Sequence, residues 1–129
     1  MTAPMITALY AGILGLMAIA LSFFPGSLRG KKKISIGDGG DPELLLAMRR
    51  HGNFVEWVPL TLILIGLLEL GGVSAAVLHV MGAALVVSRV CHAVSLKADT
   101  IEGIGRAVGA GGNALVLLVA SLWAIVLYF

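Results

Sequence analysis

The sequence predicts an all-α integral membrane protein, a bundle of four helices that each cross the bilayer. Three observations carry that reading. The 129-residue chain is 59% hydrophobic and only 12% charged, too apolar for an ordinary soluble domain. Uncharged stretches run from Met5 to Ser27, Trp57 to Leu68, Gly71 to Ser88 and Ala107 to Phe129. A spanning helix needs about 20 apolar residues, so four spans consume most of the length and leave no separate soluble domain. Finally, all 9 Lys and Arg residues fall in two stretches. Arg29, Lys31, Lys32, Lys33, Arg49 and Arg50 lie between spans one and two, and Arg89, Lys97 and Arg106 between spans three and four. With four spans these stretches share one side. Short loops retain Lys and Arg in the cytoplasm, so both basic loops are expected there and both termini outside. A formal net charge of +2 is too small to argue for nucleic acid. The single cysteine, Cys91, excludes an internal disulfide and any Cys-based metal cage.

Residues 1–129 read as one domain with spans at roughly 4–24, 42–70, 73–96 and 103–129. The first carries only hydroxyls and Tyr10 as polar members and is expected to end at the turn signal Pro25-Gly26. It lacks a basic N-terminal region and precedes a basic stretch, which marks a retained span rather than a signal peptide. Span two opens with Asp41-Pro42-Glu43: an N-cap acid, a proline at the first helical position and an acid in the first turn. From Pro42 to Leu70 it would be about 43 Å long, more than the ~30 Å hydrocarbon core, so its first turns should project on the basic side. Its uncharged stretch is too short to span alone, so Asn53 and Glu56 must enter the membrane or its interface. Pro59 removes one backbone donor inside it and can kink the helix. Gly71-Gly72 ends it beside Glu69. Span three carries Arg89 and His92 in its last turns, and span four opens with Arg106 in its first turn.

These polar residues form the candidate site. At about 100° per residue, Arg49, Asn53 and Glu56 make one stripe climbing about 10 Å along helix two, while Arg50 and His51 point elsewhere. Arg89 and His92, three apart, share a face of helix three. Ionisable groups within a span face the bundle interior, a cavity or each other, and mark function by default. Several cations with one acid and one amide suit a small anionic ligand that also carries an amine. Arginine offers fixed donor geometry for its carboxylates, Glu56 could pair with an ammonium, and Asn53 could bond a peptide group. The plainer alternatives are an Arg49–Glu56 pair within one helix or an Arg89–Glu56 bridge between helices, either of which could serve packing or register. Lys31 to Lys33 read as a topology determinant or lipid-phosphate contact. Cys91 reads as an inert buried thiol and His79 as packing. No third ligand joins His51 and His92 for a metal, so none is expected.

The string Arg49-Arg-His-Gly-Asn53-Phe-Val-Glu56-Trp-Val-Pro59 resembles the second-helix signature of the MAPEG superfamily, membrane-associated proteins in eicosanoid and glutathione metabolism. Gly37-Asp-Gly-Gly-Asp-Pro-Glu43 looks like the run preceding it in bacterial members, and Arg89-Val-Cys-His92 resembles the third-helix motif. The resemblance covers essentially the whole chain. It implies a bacterial-type member similar to microsomal glutathione transferase: a homotrimer in the inner membrane, with glutathione as co-substrate held between subunits near the cytoplasmic side. By position, Arg29, Arg49, His51, Asn53, Glu56, Arg89 and His92 match glutathione-site positions. Arg106 resembles the fourth-helix arginine that stabilises the glutathione thiolate. The implied chemistry is detoxification: thiolate attack on a lipophilic electrophile, or on a lipid hydroperoxide. Leu96, Ala110 and Trp57 depart from tyrosine-rich animal members and argue against specialised prostaglandin or leukotriene synthesis. Two other classes compete: a non-catalytic lipid-binding or scaffolding member, and a small proton-coupled exporter. Such exporters usually carry an essential acid in helix one, and here that helix has none.

Overall fold

The protein is described by a computed structural model that covers residues 3–97 and 103–129. The described residues form four helices: α1 (Met5–Lys32), α2 (Pro42–Leu70), α3 (Ala75–Ser95) and α4 (Ile104–Val126). All four are long and apolar enough to cross a membrane. Their order and the short connections give an up-down-up-down bundle, which brings the ends of α1 and α3 together with the starts of α2 and α4.

α1 differs from the sequence expectation. It continues through Pro25-Gly26, where a turn is predicted, and ends at Lys32. Proline forfeits only its own donor, and breaking a helix at membrane depth would strand several more backbone groups. Pro25 is buried against the bundle. The end comes at Lys33, which takes up left-handed backbone (φ 56°) and donates its N–H to the Arg29 carbonyl. At its start α1 has no capping side chain of its own. Glu69, from the last turn of α2, supplies the cap instead. Its two carboxylate oxygens accept from the backbone N–H groups of Ile6 (2.9 Å) and Thr7 (2.7 Å), and from the Thr7 hydroxyl (2.6 Å). A carboxylate there satisfies orphan donors and opposes the positive end of the helix dipole.

The expected start of α2 is present in detail. Asp41 accepts from the Leu44 N–H at 2.8 Å and Pro42 opens the helix. Lys32 at the end of α1 donates to both Asp41 (2.6 Å) and Glu43 (2.8 Å), closing the α1–α2 hairpin. α2 runs unbroken through Pro59. Gly72, at φ 85°, makes the left-handed turn into α3.

The core is a narrow apolar column that includes Leu14, Leu21, Phe54, Val58, Ile65, Leu68, Leu78, Leu85, Val116 and Ala120. Outside it, Leu16, Ile19, Phe23, Ile63, Val80, Leu115 and Leu122 point outward, as helices in lipid do. The closest approach is α3 on α4. Gly105, Gly109 and Gly112 of α4 face Ser95, His92 and Ser88 of α3, and a Cβ on Gly109 would lie 2.5 Å from the His92 backbone nitrogen. Small residues at this spacing let membrane helices approach backbone to backbone.

Candidate site at the basic end of the bundle

The tight α3–α4 seam places Arg89. The residue is 2% exposed, and its guanidinium lies between three helices. One terminal nitrogen donates to the Asn53 carbonyl oxygen on α2 at 2.8 Å, the other to the Gly109 carbonyl on α4 at 2.6 Å. Its Nε has no partner among the described residues. Both acceptors are neutral, and among the described residues no carboxylate pairs with this buried cation. One turn further along α4, Asn113 is fully buried, and neither amide atom has a partner among the described residues. Unmet polar atoms in the interior call for water or ligand, because a buried donor or acceptor left unpaired costs about 1–3 kcal/mol.

Two other cations and an imidazole collect around this junction. Arg50 reaches from α2 across to the Leu96 carbonyl at the end of α3, 2.7 Å away. Arg106 is half-buried in the first turn of α4, three residues before Gly109. His92 is 7% exposed, packs on the Gly109 backbone, and lies within coulombic range of Arg89, Arg106 and Arg50. The result is a cationic cluster whose apolar surroundings strengthen each charge interaction.

The helix-two stripe divides across its width. Asn53, at its inner edge, meets Arg89. Arg49 and Glu56 are exposed on the outside of the protomer, and Glu56 forms no ion pair among the described residues, with Arg49, Arg89 or any other. The structural bridges that the sequence left open are therefore not formed. Arg29 and His51 lie in a different place. They line a cleft of 340 Å³ between the end of α1 and α2, with Ser22, Pro25, Gly26 and Met48. Arg29 belongs to the last turn of α1 rather than to a loop after it. It donates to the carbonyls of Ile34 (3.3 Å) and Gly37 (2.8 Å) and to the Met48 sulfur (3.3 Å).

Within one protomer, then, Asn53, Arg89 and His92 come together with Arg106 close by, while Arg29 with His51, and Arg49 with Glu56, occupy separate faces. The sequence reading overlooked Arg50, Asn113 and Gly109. Two signals were available: the Gly105-x-x-x-Gly109 spacing, and a lone amide at 113 in an otherwise apolar helix.

An entirely apolar groove of 420 Å³ opens between α3 and α4, running from Ala76 and Trp123 near the opposite end of the bundle up to Ala84 and Leu115 on the side of the cluster. Ala84 lies five residues from Arg89, about 7.5 Å along the helix.

Comparison with known proteins agrees with this architecture. The sequence profile described as "MAPEG family" matches residues 7–126. The chain is 33% identical over 120 residues to the protein named inner membrane protein YecN in Escherichia coli K12, with 92% of each chain covered. The protein of the same name in E. coli O6:H1 matches to the same extent. No solved structure matches significantly.

Proposed function

The chain belongs to the MAPEG family, and from that premise we propose that it is a glutathione transferase of the bacterial inner membrane, with peroxidase activity toward lipid hydroperoxides. The observation that carries the reading is the Arg89 junction: a buried guanidinium whose acceptors among the described residues are neutral, with Arg50, Arg106 and His92 around it. Such a cluster attracts an anion. Glutathione brings two carboxylates, an ammonium and a thiol. The exposed Arg49 and Glu56 of one protomer would meet it at the contact with a neighbour in a homotrimer, Glu56 taking the ammonium and Arg49 a carboxylate.

A free thiol has a pKa of about 8.5, so most of it is protonated at neutral pH. The Arg106 guanidinium favours the thiolate. With an activated aryl halide, the sulfur forms a C–S bond and halide leaves. With a hydroperoxide, the thiolate attacks the terminal oxygen and alcohol leaves; a second glutathione then converts the sulfenic acid to disulfide and water. The apolar α3–α4 groove offers lipophilic partners a route from the bilayer toward this cluster.

The test is an assay of purified protein with glutathione and either an activated aryl halide or a lipid hydroperoxide. Turnover that depends on glutathione supports the proposal. Lipid binding without thiol chemistry would instead indicate a non-catalytic member, the reading that the same groove favours.

A further inference from the structure

Of the three consecutive lysines at the end of α1, Lys32 is the one with a carboxylate partner among the described residues. It is neutralised by Asp41 and Glu43. Lys31 and Lys33 are exposed and form no ion pair among the described residues. The backbone that displays them is held firmly. Lys33 is the left-handed cap of α1, and Arg29 ties the following segment down through the carbonyls of Ile34 and Gly37. A cleft of 380 Å³ opens there, lined by Arg29, Gly30, Lys33, Ile34 and Ser35.

Depth matters as much as charge. With Met5 at one edge of a ~30 Å core, about 20 residues of α1 reach the other edge, near Phe24. Phe23 and Phe24 are 70% and 61% exposed and face lipid at that level. Lys31 follows Phe24 by seven residues, nearly the same helix face and about 10 Å further out, among the headgroups. Cations above and aromatic rings below match a phospholipid with a negatively charged headgroup.

We propose that the end of α1 is a binding site for one anionic phospholipid, its phosphate met by Lys33 at the cleft and by Lys31 on the last turn of the helix, and its chains lying along Phe23 and Phe24. The pairing of Lys32 within the chain separates this from general attraction to a charged surface. Lys31 and Lys33 carry the site, and Lys32 holds the hairpin.

The test uses delipidated, detergent-purified full-length protein titrated with short-chain phosphatidylglycerol or phosphatidylcholine, with bound lipid read by native mass spectrometry. The wild type should prefer phosphatidylglycerol. The double variant Lys31→Gln/Lys33→Gln should lose about thirtyfold in affinity for it, the worth of two near-surface cations. Lys97→Gln, which removes one charge at the same basic end, should keep the affinity, whereas Lys33→Gln alone should lose about fivefold. Equal losses in Lys97→Gln and Lys33→Gln would overturn the site in favour of bulk electrostatics. Equal affinity of the wild type for both lipids would also overturn it, as would displacement by inorganic phosphate at concentrations matched to the lipid.

Discussion

At the scale of single residues, the protein separates a charge that is needed inside from charges that wait outside. Arg89 is held by an amide and a peptide carbonyl, both neutral. Asn53→Leu removes one of these acceptors and leaves a buried donor unmet. The expected loss is about 1–3 kcal/mol, read as a lower midpoint of thermal unfolding in detergent. Under the proposed function, the cations also divide the work of binding and chemistry. Arg106→Ala should lower kcat about 10- to 100-fold with little change in glutathione affinity, because a charge-assisted contact to the thiolate is worth about 1.5–3 kcal/mol. Arg49→Ala and Glu56→Ala should do the reverse, raising Kd with kcat at saturation nearly kept. Steady-state kinetics beside equilibrium binding resolve the two patterns. Residue types at spacings of three and four were enough to nominate Asn53, Glu56, Arg89 and His92. Their partners were not legible. That Arg89 bonds the Gly109 carbonyl depends on how closely α3 and α4 approach, and periodicity along one helix does not encode that distance.

At the scale of elements, two devices set the architecture. The glycine face of α4 lets α3 come close. Gly109→Ala puts a methyl group against the His92 backbone and should cost about 1–3 kcal/mol of overpacking, again seen in the unfolding midpoint. Gly111→Ala is the control. Nothing lies within 4 Å of the added carbon, so the midpoint should hold or rise. The second device is the hairpin clasp. The Lys32 ammonium, with help from the Leu44 N–H, holds the Asp41 carboxyl below its ordinary value. A depressed folded pKa stabilises the clasp fully above the unfolded value of about 3.9, and that contribution fades as pH falls through the folded value. The Leu44 amide shift in NMR, coupled to Asp41 through their 2.8 Å bond, should therefore titrate below 3.9 and move up in Lys32→Gln. The clasp also shows what sequence could and could not supply. Asp41-Pro42-Glu43 announced the start of α2 without ambiguity. Pro25-Gly26 misdirected the end of α1, because a turn signal calibrated in water loses force where an unsatisfied backbone has no solvent. The Glu69 cap on α1 joins residues more than sixty apart, and nothing local marks it.

At the scale of the whole molecule, charge asymmetry and four apolar helices define a multi-pass membrane protein with one basic end. If that end is cytoplasmic, a cysteine at Phe129→Cys in a Cys91→Ala background should react with an impermeant maleimide in intact spheroplasts. One at Lys97→Cys should react only after lysis. Assembly was the part least accessible from one chain. The exposure of Arg49 and Glu56 is explained if a neighbouring protomer completes the pocket, and composition alone carries no trace of such a partner. The central claim is that the α2 stripe and the cationic cluster together bind glutathione. Calorimetric titration of the detergent-solubilised protein with glutathione tests it most directly. Saturable binding that Glu56→Ala weakens at least tenfold is the predicted result; absence of saturable heat, or unchanged affinity in that variant, would contradict it.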